Sequence, residues 1–213
     1  MSDSVTVVDY GIGNLKSVCR ALEVSGGDIV LAKDAKAILS ADRLVLPGVG
    51  AFASCMEELR GRGLIQAILD FFGTDRPFLG ICVGMQLMMG TGKEFGDHDG
   101  LGLIDGTVGA IPAAQPGAPR YKIPHIGWSA LRKPDGADWS NTVLADCKDG
   151  EPFYFVHSFT ADPTSADARL ADCDYHGNRL SGVIRDGVRF GCQFHPEKSG
   201  HSGLGVLRNF LTL

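Results

Sequence analysis

Gly80-Ile81-Cys82-Val83-Gly84 sets a cysteine between two glycines, after an apolar run at 78–81 and before Met85, Gln86, Leu87 and Met88. A small–x–nucleophile–x–small turn between a strand and a helix is a nucleophile elbow. The flanking glycines let the backbone turn sharply and lift the central side chain clear. Unpaired N–H groups and positive potential at a helix N-terminus favour thiolate over thiol. Such a thiolate attacks a carbonyl-type carbon if a base and an oxyanion site lie within reach. The competing reading is a small buried cysteine in a glycine-rich turn, a common place for a free thiol.

A base is offered by Phe190-Gly191-Cys192-Gln193-Phe194-His195-Pro196-Glu197. Pro196 biases His195 toward an extended backbone. Residues two apart on extended chain project to the same side, so Glu197 can reach the His195 ring. A carboxylate there fixes the tautomer and stabilises the imidazolium formed when the ring takes a proton. His157, in Tyr154-Phe155-Val156-His157-Ser158-Phe159, is the rival base; a partly buried histidine on an aromatic strand is its alternative reading.

The third element is Pro47-Gly48-Val49-Gly50, where backbone N–H groups can approach a substrate oxygen as an oxyanion hole requires. A dinucleotide fingerprint competes here, but the leading proline and the third strand position count against it. Gly90-Thr91-Gly92-Lys93 fails as a phosphate loop, since Leu87 replaces the first glycine and Glu94 the Ser/Thr. Cys173-x-x-His176 and Cys192-x-x-His195 have metal-ligand spacing, yet each lacks a second pair. No metal or cofactor is expected.

The elements that must hold these residues are legible from periodicity. Apolar runs at 5–8, 29–31, 44–46 and 78–81 read as strands. Helical spacing is carried by Leu15, Val18 and Leu22, by residues 35–39, and by Ile65, Ile68, Leu69 and Phe72. Strand, helix, strand implies parallel pairing with right-handed crossovers, and active sites in such sheets lie at the carboxyl ends of the strands. Further strands are expected at 153–156, 183–185 and 189–194, with a closing helix marked by Leu204, Leu207 and Leu211. Residues 112–124, rich in Pro, Gly and Ala, read as a loop or edge excursion. No linker forces a cut, so one domain over 1–213 is expected.

Composition narrows the class. The chain has 213 residues, 20 Lys and Arg against 25 Asp and Glu, and a net charge of −5. No basic cluster suggests nucleic acid or a membrane surface. The longest uncharged stretch, 78–92, is shorter than the ~20 apolar residues of a span. Six dispersed cysteines and no secretory leader fit free thiols in a cytoplasmic protein. Glycine, at 29 residues, is about twice its usual ~7% share and has no period of three.

The three chemical segments resemble, in sequence and order, those of the class I (triad-type) glutamine amidotransferases. Asp9-Tyr10-Gly11-Ile12-Gly13-Asn14-Leu15-Lys16-Ser17-Val18, Pro124-His125-Ile126-Gly127-Trp128 and Tyr154-Phe155-Val156-His157-Ser158 are similar to the branch serving imidazole glycerol phosphate synthesis. The resemblance covers essentially the whole chain. It implies an α/β, flavodoxin-like amidotransferase domain, with a mostly parallel central sheet flanked by helices and an additional small antiparallel sheet region.

It also implies a mechanism and a partner. Cys82, His195 and Glu197 form the triad, and backbone N–H groups at Gly50 and Val83 hold the oxyanion. Gly48, Gln86, Glu94, Ser158 and Phe159 contact L-glutamine. Ammonia then passes to a (β/α)8-barrel cyclase subunit in a heterodimer, yielding imidazole glycerol phosphate and an aminoimidazole carboxamide ribotide. Asn14, His125, Trp128 and Lys198 face that partner, and the 47–50 loop is the moving part of an off-state. Ser129, Phe159 and Val83 depart from the residues most frequent in the family, which are asparagine, tyrosine and leucine. Those departures leave room for a paralogue feeding a related barrel enzyme, such as one amidating a surface sugar. A stand-alone γ-glutamyl-type cysteine hydrolase and a non-catalytic regulatory subunit are the readings from other classes.

Overall fold

The computed structural model describes residues 4–114 and 120–213. In chain order the elements are β1 (Ser4–Val8), α1 (Leu15–Val24), β2 (Asp28–Ala32), α2 (Ala35–Leu39), β3 (Leu44–Gly48), α3 (Phe52–Gly61), α4 (Ile65–Phe72), β4 (Phe78–Cys82) and α5 (Val83–Leu87). They continue with β5 (Met89–Gly92), β6 (His98–Asp99), β7 (Ile104–Ala110), β8 (His125–Arg132), β9 (Pro152–His157), β10 (Phe159–Pro163), β11 (Arg169–Tyr175), β12 (Asn178–Asp186), β13 (Arg189–Cys192) and α6 (Gly200–Thr212).

Strands β2-β1-β3-β4-β13-β12-β11-β8-β9 form one sheet and β10-β7-β5-β6 a second. Pairing is parallel from β2 to β13 and antiparallel from β13 onward to β9. The parallel half follows from composition: every residue of β3 and β4 is buried, as strands covered on both faces by helices require. The small sheet is antiparallel at β10–β7 and β5–β6 and parallel at β5–β7.

Helix α1 turns Val18, Ala21 and Leu22 inward, at the three-and-four spacing of a single face. The Asp34 side chain accepts from the Ala37 N–H and starts α2. Two expected elements are shorter than the sequence suggested. The strand at 189–194 ends at Cys192, and the helix after the elbow ends at Leu87, so its dipole adds little beyond its first N–H groups. Of the loop expected at 112–124, residues 115–119 lie outside the described residues; the rest carries no strand before His125. No helix among the described residues is long and apolar enough to cross a membrane.

Candidate active site

The sheet aligns the ends of three strands. Gly48 of β3 is the register partner of Cys82 in β4, and Cys192 of β13 is the partner of Ile81. The 48–50 loop, the elbow and the His195 segment therefore leave the sheet side by side at its carboxyl edge.

Cys82 sits at φ 54° and ψ −110°. A non-glycine residue held there costs on the order of 1–3 kcal/mol, maintained only by a surrounding that over-determines it. Close packing supplies that surrounding. A Cβ on Gly84 would lie 1.9 Å from the Leu46 carbonyl oxygen, and one on Gly80 would lie 2.7 Å from the Gly84 oxygen. The glycines thus let the elbow press against β3 while Cys82 itself takes the unfavourable dihedral. Burial pushes the other five thiols up, Cys147 and Cys173 to about 12 and Cys192 well above the ordinary range. Each holds less thiolate at neutral pH than a free cysteine.

His195 leaves β13 with extended dihedrals, its N–H donating to the Tyr154 carbonyl at 3.0 Å. Its carbonyl accepts from the Ser199 hydroxyl at 2.7 Å, so the backbone is fixed on both sides. Glu197, in the short turn Pro196–Lys198, places Oε1 2.8 Å from His195 Nδ1. Nδ1 donates to the carboxylate, which leaves Nε2 as the ring nitrogen available to Cys82 in the shared cleft. Both partners are dry: their side chains are 6% and 1% exposed. Glu197 Oε2 is buried without a hydrogen-bond partner, so the imidazolium is the main compensation for the carboxylate charge.

Burial alone would lower the His195 pKa, but hydrogen bonding and charge from Cys82 and Glu197 outweigh it and raise the value to about 10. The raised value means that His195 favours folding fully below its unfolded pKa of ~6.5, and that this contribution fades as pH climbs through about 10. Glu197→Gln keeps the shape and removes the charge. Its expected outcome is a two to four order-of-magnitude loss of thiol-dependent turnover, as in other triads with a neutralised acid (~10⁴). In denaturant titrations the wild type's stability advantage over this variant is expected to shrink between pH ~6.5 and 10.

The cleft around Cys82 has a volume of about 340 Å³ and takes Val49, Gly50, Val83, Gln86, Glu94, Ser158, Phe159, His195 and Lys198 into its walls. The structure thus brings together most residues singled out for oxyanion and substrate contacts. Gln86 Nε2 donates to the Phe159 carbonyl and to Gln193 Oε1, each at 3.0 Å. Glu94 Oε2 accepts from the Phe52 N–H at 2.7 Å, anchoring the start of α3 behind the 48–50 loop.

Two expectations need correction. Gly48 is buried beneath the elbow and outside the cleft wall; a Cβ there would lie 2.7 Å from the Gly84 nitrogen, so its role is close packing. His125, placed on the partner-facing surface, is 1% exposed because its ring stacks between Phe155 and Tyr175. Trp128 is 56% exposed, Lys198 is exposed and Asn14 half-buried, accepting the Ser17 hydroxyl. His157 is no free base: Nδ1 is 2.8 Å from the Phe159 carbonyl and Nε2 2.9 Å from His125.

Sequence reasoning passed over Gln193, whose Nε2 lies 3.8 Å from Cys82 Sγ. Its signal was available, since Gln193 and His195 are two apart on extended chain. Tyr10 was noted only within a motif; its hydroxyl donates to the Pro47 carbonyl at 2.8 Å and backs the 47–50 loop.

Residues 6–213 match the family model described as glutamine amidotransferase class-I. The chain belongs to that family. This amidotransferase is 47% identical over 211 residues to "Imidazole glycerol phosphate synthase subunit HisH 1" of Legionella pneumophila strain Lens, covering 99% of each chain. It is 45% identical over 215 residues to the HisH subunit of Rhodospirillum rubrum, covering 97% of each. Among solved structures, one titled "Crystal structure of glutamine amidotransferase" superposes with a TM-score of 0.71 at 15% identity, over 97% of each chain. "Structure of PurLQS from Thermotoga maritima" superposes at 0.70 and 18% identity, over 100% of this amidotransferase and 99% of that chain. At those identities the structural likeness speaks for the fold alone.

Proposed function

We propose that residues 1–213 act as one glutaminase domain, the amidotransferase subunit of an imidazole glycerol phosphate synthase. The observation carrying the chemistry is the Cys82–His195–Glu197 constellation at the elbow, its imidazole oriented by a 2.8 Å bond to a buried carboxylate. The near-full-length likeness to subunits named HisH carries the pathway assignment.

The Cys82 thiolate adds to the side-chain amide carbon of L-glutamine, and the N–H groups of Gly50 and Val83 receive the oxyanion. Imidazolium His195 gives its Nε2 proton to the departing ammonia, leaving a glutamyl thioester. Acylation removes the thiolate charge that helped hold the proton, while burial still disfavours the cation. His195 therefore turns into a base suited to deprotonating the water that releases glutamate. Gln86, Glu94, Ser158 and Phe159 hold the substrate's backbone end. Ammonia goes to a (β/α)8-barrel cyclase, with Asn14, Trp128 and Lys198 offered toward it.

The experiment is a glutaminase assay of the chain alone and with that cyclase and its nucleotide ligand. Slow hydrolysis alone, rising by at least ~10²-fold in the loaded complex, is expected. Full-speed hydrolysis by the free chain would instead favour a stand-alone γ-glutamyl-type hydrolase.

A further inference from the structure

Behind the cleft wall runs a chain of polar groups, of which Ser129, His125 and His157 have no part in the proposed mechanism. Ser129 Oγ lies 2.8 Å from His125 Nε2, His125 Nδ1 2.9 Å from His157 Nε2, and His157 Nδ1 2.8 Å from the Phe159 carbonyl oxygen. The same carbonyl receives Gln86 Nε2, and Gln86 and Gln193 lead on to Cys82 Sγ. One end is thus on β8, beside the exposed Trp128; the other is in the wall of the substrate cleft.

The direction of every hydrogen bond in this chain is forced. A carbonyl only accepts, so His157 carries its proton on Nδ1 and accepts at Nε2. His125 must then donate from Nδ1, and its Nε2 accepts the Ser129 hydroxyl proton. Both rings are neutral, since burial lowers each pKa to about 4. Both hold the Nδ1–H tautomer, which the Phe159 carbonyl sets from one end and the Ser129 hydroxyl satisfies at the other. Reversing any one bond would leave two donors or two acceptors facing each other in a dry site, a costly mismatch.

We propose that Ser129 and His125 are positioning residues for the glutamine site, acting through His157 to fix the Phe159 carbonyl and the Ser158–Phe159 backbone. This rests on the glutaminase reading above and adds residues that contact neither substrate nor thiol. It also gives buried His125 a role that needs no surface exposure.

The test has two independent readouts on the full chain. Nitrogen-15 spectra of the imidazoles at pH 7 are expected to show both histidines as neutral Nδ1–H tautomers in the wild type. In Ser129→Ala the His125 Nε2 signal is expected to shift toward that of an acceptor without a hydrogen bond, while the pairing with His157 keeps the Nδ1–H tautomer. Ser129→Thr, which keeps the hydroxyl, restores it. In glutaminase assays of the complex, Ser129→Ala is expected to raise KM for glutamine about 3- to 10-fold, with kcat within twofold, and Ser129→Thr to recover at least half of the loss. An Nε2–H or charged imidazole at either position in the wild type overturns the proposal, as does an unchanged KM in Ser129→Ala. Absence of any wild-type glutaminase activity in the complex would overturn the functional reading itself, and the spectra would still decide the tautomer chain.

Discussion

Replacing Cys82 by alanine is expected to lower glutamine-driven turnover of the complex by about 10⁴-fold or more, the scale seen when a triad nucleophile is removed. The same complex, given ammonium salts, is expected to keep synthesis within twofold of the wild type, because the ammonia-consuming chemistry belongs to the proposed partner. The substitution is clean in this fold. Alanine keeps the Cβ, so the cost of holding φ at 54° is unchanged and the elbow stays as packed. The melting temperature should stay within ~2 °C. Paired assays with the two nitrogen donors check both halves. Loss of ammonia-driven synthesis as well would make Cys82 a structural residue and sink the role proposed for it.

The second large effect is on stability. Gly84→Ala puts a methyl group 1.9 Å from the Leu46 carbonyl oxygen, and that oxygen is main chain in a strand buried along its whole length. Neither side can rotate away, so β3 and the elbow must separate. A destabilisation of at least ~3 kcal/mol is expected, the upper end of overpacking costs. At about 2–4 °C per kcal/mol for a chain of this size, the melting temperature should fall by roughly 6–12 °C. Gly61→Ala is the control: its added Cβ meets nothing within 4 Å at the end of α3, and it should be neutral or stabilising by up to ~1 kcal/mol. Equal effects at the two positions would mean that the elbow yields and that its closeness to β3 is not needed.

What the residues revealed in advance, and what they hid, divides along physical lines. The inner parallel strands stood out because two-sided burial writes continuous apolar runs, as at Val5, Val7 and Val8 and throughout β4. The elbow and the His195–Glu197 pairing depend on neighbours within two residues, so they too were legible. Helix α3 was missed although Phe52, Cys55, Met56 and Leu59 carry its buried face at helical spacing. Strand β8 was hidden because it mixes buried and exposed positions along His125–Arg132. His125 was misplaced because its surroundings, Phe155, Tyr175 and His157, come from strands far along the chain. No local pattern reports a neighbour supplied by tertiary pairing.

The pairing of β4 with β13 sets a schedule for the chain's synthesis. Gln193 follows Cys82 by 111 residues and His195 lies two further on, so the ribosome adds residues for roughly ten seconds between the thiol and its histidine. During that interval one edge of β4, a fully apolar strand, has no partner. The nascent protein therefore carries a sticky, catalytically mute edge through most of its birth. Closure of that edge by β13 is the event that silences the aggregation hazard and assembles the reactive site together.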